Sequence, residues 1–232
     1  MEEKKLADIG FKDFVPYKPE DISVIIPHRN DYPNRWKWFW PQYKASVPEE
    51  VLRNTVVVIH CRTDAAFEID DCCVFISYKE KIHSMIKPTL EGMKHAKTRL
   101  LARITDDSEL SKEWVPKALE IFNQEPHLKI LSEVTFGDPH PDQLKGLKMF
   151  SIPWVKSYLH DGEYRGIEFI FPTLCIANRA IWMSYYAEVI EQTLHGLEDV
   201  IFTILSRADG IPVINFGGYV KSRGKTNQDV IR

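Results

Sequence analysis

Two adjacent carboxylates follow an apolar stretch near the middle of the chain. The run Leu100–Ile104 is followed, one residue later, by Asp106, Asp107 and Ser108. A buried strand that delivers acidic side chains to its carboxyl end is how an open α/β sheet presents ligands for a divalent metal and a phosphorylated substrate. The pattern therefore indicates metal-assisted group transfer. The alternative is that Asp106 and Ser108 only cap a helix that begins near Glu113.

A second acidic pair, Glu198 and Asp199, stands at the start of an apolar segment that we predict to be helical over 197–208, with Gly210 just beyond its end. Carboxylates in the first turn stabilise a helix by about 0.3 to 1 kcal/mol, and this alone can explain the pair. The alternative is chemical. Gly196 permits a sharp turn before the pair, so that one carboxylate could face a cleft and accept a proton from a hydroxyl group.

The elements that must position these acids alternate along the first half of the chain. β-branched, nearly continuous apolar runs predict strands at 22–26 and 55–60. Further strands are predicted at 73–77, 99–104 and 128–132, with one crossover helix within 34–51 and further helices at 88–97 and around 114–122. The order βαβαβαβ is typical of an α/β fold with a mostly parallel central sheet flanked by helices.

The second half of the chain is less regular. Its apolar runs predict strand material at 167–171 and 173–177, broken by Pro172, and a final strand at 213–216. A helix is predicted at 181–190, a loop at 137–147 and a hairpin around Asp161 and Gly162. The polar, basic segment 221–232 is predicted to be mobile.

Composition excludes several classes of function. The 232 residues are 44% hydrophobic and 27% charged, which is typical of a folded globular protein, and the formal net charge of −3 provides no general attraction to nucleic acid or anionic lipid. No segment reaches the roughly 18 consecutive apolar residues that a membrane helix requires. We therefore expect a cytoplasmic protein without membrane insertion.

An aromatic cluster, Trp36, Trp38 and Trp40, lies within the predicted helical stretch after the first strand. Such clusters usually form the inward face of a helix. Since aromatic side chains interleaved with cations can also stack on sugars or bases, an acceptor-binding role is the alternative.

The first strand and the two acidic pairs together resemble family-two-type glycosyltransferases with the GT-A fold. The segment 23–31, Ser-Val-Ile-Ile-Pro-His-Arg-Asn-Asp, is similar to the opening of that family, in which a strand ending in proline or threonine is followed by Asn and an acid. Thr105, Asp106 and Asp107 stand where the family has its metal-binding acidic motif. Glu198 and Asp199 resemble its later Glu-Asp pair. The resemblance covers roughly residues 21–217.

The resemblance implies roles for these acids. Asp107 would bind Mn²⁺ or Mg²⁺ together with the diphosphate of a nucleotide-sugar, such as a UDP- or GDP-sugar, and Asp106 would assist the metal and contact the ribose or donor sugar. Asp199 would be the general base for an inverting transfer, and Glu198 would orient the acceptor. Thr105 stands where many members of the family carry a further Asp, which would weaken the hold on the metal.

The resemblance also implies a nucleotide pocket at the end of the first strand, lined by Pro27, His28, Arg29 and Asp31. The family's second strand ends in an acid that contacts the base. Here either Asp64 or His60 would take that place, and Asp64 is favoured.

The expected layout is an N-terminal extension (1–20), one GT-A-like catalytic domain (21–218) and a basic tail (219–232). Within the domain, 21–132 would bind the nucleotide-sugar and 133–218 the acceptor, for which a saccharide is favoured and a DNA base is possible. Two other functions compete with glycosyl transfer. One is a nucleotidyltransferase of similar fold, although 27–31 lacks the glycines usual in its phosphate loop. The other is a non-catalytic module that binds nucleotide-sugar or nucleic acid.

Overall fold

The computed structural model describes residues 14–63, 71–79, 85–124, 127–137, 167–192 and 198–222. These residues build three layers, a mixed sheet with helices on both faces. The strands are β1 (Ile22–Arg29), β2 (Val56–His60), β3 (Val74–Tyr78), β4 (Leu100–Ile104), β5 (Ser108–Leu110), β6 (Ile130–Gly137), β7 (Ile167–Asn178), β8 (Val213–Asn215) and β9 (Val220–Ser222). The helices are α1 (Pro33–Ser46), α2 (Glu49–Arg53), α3 (Ile86–His95), α4 (Trp114–Gln124), α5 (Arg179–Gln192) and α6 (Glu198–Ala208), and Pro19–Asp21 forms a short 3₁₀ turn.

The main sheet has the strand order β3-β2-β1-β4-β7-β6-β8. β1 pairs in parallel with both β2 and β4, and β2 pairs in parallel with β3. β7 runs antiparallel to its neighbours β4 and β6, whereas β8 is parallel to β6. The sheet is therefore mostly parallel, as the alternation of strands and helices predicts.

Each face of the sheet carries its own apolar core. Alternate residues of the strands point to opposite faces. Ile25 and Leu101 belong to the core under α3, α5 and α6. Val24 and Leu100, their neighbours in sequence, belong to the other core, under α1, α2 and α4. Both faces are covered, which explains why the central strands are apolar at nearly every position.

The aromatic cluster forms part of this second core. Trp36 and Trp40 are buried and stack on each other with ring centroids 4.8 Å apart, and both also contact Phe75 of β3 edge to face. Trp38 is partly buried against the same core. The inward-facing interpretation is confirmed, because the rings that would have to stack on an acceptor are already packed against the sheet.

Two local predictions about helices have different outcomes. The stretch 34–51 forms two helices rather than one crossover helix, because Val47, which precedes Pro48, is extended (φ −124°, ψ 147°), as the proline ring requires of its neighbour. The end of α6 is confirmed. Gly210 has φ +66°, its amide donates to the Arg207 carbonyl and the Ile211 amide donates to the Ser206 carbonyl.

Pro172 does not break the strand material of the second half, and that prediction is wrong. β7 runs through it from 167 to 178. The pairing with β6 jumps from Ser132 opposite Cys175 to Glu133 opposite Phe171, so residues 172–174 lie in an irregularity of the ladder. A proline is tolerated at such a position because no partner there requires its missing amide hydrogen.

Several expectations concern segments beyond the described ranges. They are the hairpin around Asp161 and Gly162, most of the loop at 137–147, residues 1–13 and residues 223–232. The described part of the N-terminal segment packs on the domain, with Tyr17 buried and its backbone bonded to the Asn123 side chain. None of the helices in the described ranges is both long and apolar enough to cross a lipid bilayer.

Candidate functional site

The acidic pair lies at the point where the sheet changes winding direction. From β1 the chain continues outward to β2 and β3, whereas β4 lies on the other side of β1. Ligands of open α/β sheets bind at such a point, at the carboxyl ends of the strands. A cavity of about 130 Å³ occupies this place. It is lined by Pro27, Arg29, Tyr32, Arg35, Met85, Arg103, Thr105, Asp106 and Asp107.

Asp106 is the buried member of the acidic pair, with 6% of its surface exposed. Its Oδ2 lies 2.5 Å from Nδ1 of His28, a fully buried residue of β1, and its Oδ1 accepts a hydrogen bond of 3.3 Å from Nη1 of Arg35. Both carboxylate oxygens therefore have protein partners. The helix-capping alternative is wrong, because the Asp106 carboxylate is bonded to His28 and Arg35, and Ser108 lies in β5, well before α4 begins at Trp114.

His28 contacts Trp36 as well as Asp106. Its ring centroid lies 4.9 Å from that of Trp36 in α1. Since Trp36 is itself packed in the core, the imidazole has little room to move. The aromatic cluster thus helps to position Asp106, because Trp36 restrains His28 and His28 contacts the Asp106 carboxylate.

Asp107 has different surroundings. Its side chain is 21% exposed, and its nearest charged partner is Arg35 Nη1, 3.9 Å from Oδ2. The carboxylate makes no hydrogen bond to any residue in the described ranges. Asp107 lies in a turn that is closed by the Ser108 amide, which donates to the Thr105 carbonyl. The side-chain hydroxyls of Thr105 and Ser108 are also in contact, at 3.1 Å. Asp107 is the carboxylate available to a ligand.

The end of β1 contributes a charged clamp. Arg29 donates from Nε and Nη2 to the two carboxylate oxygens of Asp31, at 3.0 and 2.5 Å. Partial burial would raise the pKa of Asp31, but the hydrogen bond and charge of Arg29 outweigh it and hold that pKa below its ordinary value. Arg29 lines the cavity, and Asp31, which does not line it, holds the Arg29 side chain in position. Arg29 also lies over the Tyr32 ring, 4.7 Å from its centroid.

The cavity is also lined by two arginines that the sequence patterns did not single out. Arg35 comes from the first turn of α1, and Arg103 is a buried residue of β4, 4% exposed, between Ile25 of β1 and Cys175 of β7 in the sheet register. A cation inside an otherwise apolar central strand was a signal in itself, since charged residues are seldom fully buried without a partner or ligand. Arg35 carried no comparable signal.

Asn30 links the two loops at this edge of the sheet. Its Oδ1 accepts hydrogen bonds from the amides of Arg62 (2.7 Å) and Thr63 (3.1 Å), and its Nδ2 donates to the Thr63 carbonyl. The chain that follows β2 is thereby fixed beside the end of β1. Asp64, the favoured base-contacting acid, is the next residue and lies outside the described ranges, while His60 is fully buried at the end of β2.

The short strand β5 begins directly after the acidic pair. It pairs antiparallel with β9, with Ser108 opposite Ser222 and Leu110 opposite Val220. The beginning of the basic tail is therefore a strand beside the acidic turn. This pairing was not predicted, because strands of three residues are too short to show a pattern.

Of the residues singled out from the sequence, Pro27, Arg29, Asp106 and Asp107 line one cavity. His28 does not line it, and contacts Asp106 from a fully buried position. Glu198 and Asp199 are the first two residues of α6, as the predicted helix start requires. Their assignment to acceptor and base stays a prediction. No group of three or more His, Cys, Asp or Glu side chains within the described ranges is arranged to hold a metal.

Comparison with known proteins rests on structure. No protein-family model matches the chain, and no curated protein does. S. aureus TarS 1–349 is similar with a TM-score of 0.57 and 16% identity, over 86% of this chain and 59% of that one. In its complex with UDP-GlcNAc the TM-score is 0.54, over 90% of this chain and 60% of that one. The protein thus spans about three fifths of the length of that TarS chain.

Two other kinds of enzyme share the fold. The mannosyltransferase PcManGT from Pyrobaculum calidifontis, in complex with GDP-Man and Mn²⁺, has a TM-score of 0.53 and 13% identity, over 88% of this chain and 57% of that one. The 2-C-methyl-D-erythritol 4-phosphate cytidylyltransferase from Thermus thermophilus has a TM-score of 0.50 and 13% identity, over 84% of this chain and 88% of that one. The predicted GT-A-like fold is confirmed; at these identities the likeness shows the fold alone.

Proposed function

We propose that this chain is a glycosyltransferase that moves a sugar from a nucleoside-diphosphate sugar to an acceptor hydroxyl, with inversion and with the help of a divalent metal. The observation that carries the proposal is the cavity at the carboxyl ends of β1 and β4, where Asp107 is partly exposed beside three arginines. Cations together with one available carboxylate suit a diphosphate bound next to a metal ion.

The residues of the cavity fit a Mn²⁺ or Mg²⁺ ion. Such a cation takes one or two protein carboxylates and completes its coordination with phosphate oxygens and water. Asp107 supplies the available carboxylate, while Asp106 is engaged by His28 and Arg35 and holds the turn in place. When bound, the metal would neutralise the charge that develops on the leaving diphosphate.

The charge balance supports the same assignment. The three cavity arginines are matched by three carboxylates, those of Asp106, Asp107 and Asp31. The protein groups alone therefore leave the formal charge of the site near zero, and a bound diphosphate would leave it negative. A divalent cation bound with the diphosphate restores neutrality, which favours binding the two together.

The transfer itself requires a base for the acceptor. In the proposed reaction Asp199 takes the proton of the acceptor hydroxyl while that oxygen attacks the anomeric carbon in line with the leaving group. The bond from the anomeric carbon to the diphosphate breaks, and the nucleoside diphosphate leaves with the electron pair. Glu198 would orient the acceptor, and Asp64 would contact the base of the nucleotide.

The nucleotide-sugar complexes of the structural neighbours, UDP-GlcNAc for TarS and GDP-Man for PcManGT, support the choice of donor class. We propose a UDP- or GDP-sugar as donor and a saccharide as acceptor, with a DNA base as the less favoured acceptor. The aromatic cluster provides no acceptor platform in this proposal, because its rings are packed in the core.

Replacing Asp199 with Asn tests the catalytic assignment. We expect donor affinity, measured by calorimetry with UDP- and GDP-sugars and Mn²⁺, to stay within about twofold, while turnover falls by about 10²-fold or more because a general base is lost. Glu120→Gln, a charge change at an exposed residue of α4, is the matched control. Unchanged turnover in the Asp199 variant would refute the assignment, and a failure of every nucleotide-sugar to bind would refute the donor.

Nucleotidyl transfer is the second candidate, since the cytidylyltransferase shares the fold over 88% of its own length. The two reactions release different products. Glycosyl transfer releases a nucleoside diphosphate, whereas nucleotidyl transfer from a nucleoside triphosphate to a sugar phosphate releases inorganic pyrophosphate. Assaying both products from both substrate pairs decides between them. Pyrophosphate release alone would favour the second candidate.

A further inference from the structure

We propose that Arg35 binds the diphosphate of the donor directly and that Tyr32 holds its guanidinium group in position. This inference deepens the proposed function and rests on it. Neither residue belongs to the motifs that led to the site. Both come from the turn into α1 and its first turn, and both line the cavity.

Arg35 has hydrogen-bonding capacity that its protein partners do not use. A guanidinium group carries five N–H donors. Nη1 makes one long hydrogen bond of 3.3 Å to Asp106 and lies 3.9 Å from Asp107, beyond hydrogen-bonding distance. Nε is buried and has no hydrogen-bond partner among the described residues. A buried donor without an acceptor is unfavourable, and an anion in the cavity would supply the acceptor.

Arg29 provides the contrast within the same cavity. Its Nε and Nη2 match both oxygens of Asp31 in the two-pronged geometry that satisfies an arginine. Moving it onto a ligand would break both bonds. Arg35 could add a ligand without giving up a comparable pair. The geometry therefore points to Arg35 as the arginine that takes the phosphate.

Tyr32 limits how Arg35 can move. The Arg35 guanidinium carbon lies 4.6 Å from the centroid of the Tyr32 ring, and the Arg35 side chain is only 12% exposed. A stacked, mostly buried guanidinium loses little freedom when a ligand arrives, which favours binding. Nη1 of Arg35 lies 3.9 Å from Oδ2 of Asp107, so Arg35 can reach a phosphate bound next to that carboxylate.

The test compares diphosphate with nucleoside binding. Calorimetry would measure inorganic pyrophosphate, UDP, GDP, uridine and guanosine on the wild type, Arg35→Lys and Arg35→Gln, with and without Mg²⁺. Arg35→Lys keeps the charge beside Asp106 but loses the planar fork. We expect it to weaken pyrophosphate and nucleoside diphosphates about tenfold and nucleosides less than about twofold. Arg35→Gln should weaken the diphosphates further.

Two controls separate this role from a structural one. Arg53→Gln changes an exposed arginine of α2 and should alter no affinity. Tyr32→Phe, which keeps the ring, should preserve diphosphate affinity, whereas Tyr32→Leu should lower it severalfold. Near-ultraviolet circular dichroism would identify variants that have lost their packing, and Arg35→Lys serves as the folded variant if Arg35→Gln has.

The outcomes separate the inference from the function. Pyrophosphate binding that depends on Arg35, with no nucleotide-sugar bound, would refute the proposed donor and keep the anion subsite. Nucleotide-sugar turnover with diphosphate affinity unchanged in both Arg35 variants would keep the function and overturn the inference. Equal weakening of nucleosides and diphosphates would also overturn it, because Arg35 would then act on the whole pocket.

Discussion

At the scale of single residues, Asp106 and Asp107 show how neighbours in sequence acquire separate tasks. Asp106 points to the face of the sheet where His28 and Arg35 hold it, and Asp107 remains partly exposed beside the cavity. Both residues lie in the turn between β4 and β5, and this turn directs the two side chains into different environments. Substitutions at these positions should therefore have different consequences.

Asp106→Asn should destabilise the protein by about 1 to 3 kcal/mol, because it removes the charge that buried His28 and Arg35 face. Asp107→Asn should change the free energy of unfolding by no more than about 0.5 kcal/mol. Urea denaturation of both variants measures the contrast. Equal losses of stability would contradict the division of tasks.

Asp107→Asn should instead weaken the metal-dependent binding of the donor. In the wild type, a donor that binds the folded state stabilises it by RT ln(1 + [L]/Kd) and so raises the melting temperature. We expect Mn²⁺ to increase this shift for UDP- or GDP-sugars in the wild type and to add nothing in Asp107→Asn, since the carboxylate that would hold the metal is gone. A Mn²⁺ effect that persists in the variant would place the metal elsewhere.

Part of the site was readable from residue types alone. Carboxylates after an apolar run indicated Asp106 and Asp107, but nothing in the sequence showed that His28, 78 positions away, would occupy one oxygen of Asp106. Arg35 was hidden for the same reason, because its place depends on where α1 crosses the edge of the sheet. Pairings that depend on tertiary packing leave no local signal.

At the scale of elements, α3 packs closely on the sheet at Gly92. A Cβ added there would lie 2.7 Å from Cγ2 of Ile25 and 2.9 Å from Cγ2 of Val58. These methyl groups belong to β-branched side chains of central strands and cannot swing away. The helix over β1 and β2 therefore requires a residue without a side chain at this position.

Gly92→Ala should lower the free energy of unfolding by about 1 to 3 kcal/mol, the usual effect of overpacking, even though alanine favours helix. Lys94→Ala, on the exposed side of the same helix, is the control and should have little effect. Chemical denaturation of the two variants decides, and a stabilised Gly92→Ala would show that the helix can shift outward.

Gly210 tests backbone conformation without a steric contribution. Its φ is +66°, and an added Cβ would meet nothing within 4 Å. Gly210→Ala should cost about 1 kcal/mol from the left-handed conformation alone, and Gly210→Asn less, because asparagine tolerates that region. Thermal denaturation of both variants measures the order. Equal stability of all three proteins would refute this interpretation.

The predictability of elements depended on their length and apolar pattern. Long buried strands such as β1 and β2 were recognisable because both of their faces are covered, and the terminal glycine of α6 marked its end. β5 and β9, with three residues each, were not, since their stability comes from a partner more than 100 residues away. The passage of β7 through Pro172 depended on an irregular pairing with β6.

At the scale of the whole molecule, Arg99 ties the N-terminal segment to the sheet. It donates two hydrogen bonds to Asp21 and further ones to the carbonyls of Val15 and Pro16, and its guanidinium lies over the Tyr17 ring. The hydrogen bond from Arg99 is the main reason that the pKa of Asp21 lies below its ordinary value of 3.8.

This coupling predicts a dependence of stability on pH. A carboxyl group with a lowered pKa in the folded state stabilises the protein above its unfolded pKa, and the contribution disappears as the pH falls through the folded pKa. Asp21→Asn should therefore be less stable than the wild type at pH 7, by about 1 kcal/mol or less for this partly exposed pair. The difference should vanish as the pH falls below 3.8. Urea denaturation from pH 7 to 2.5 measures it, and a difference that persists in acid would refute the coupling.

The pairing of β5 with β9 affects the order in which parts of the protein can fold during synthesis. Ser108, next to the acidic turn, faces Ser222, so the turn receives its neighbouring strand only after residue 222 has been synthesised. During synthesis a strand can pair only after it has emerged from the ribosome. A nascent chain that stops at 219 can form every strand of the main sheet but not this pair. The strand beside the acidic turn therefore forms only after residue 222 has emerged, and a nascent chain stalled before that residue should bind the proposed nucleotide-sugar more weakly than one stalled beyond it.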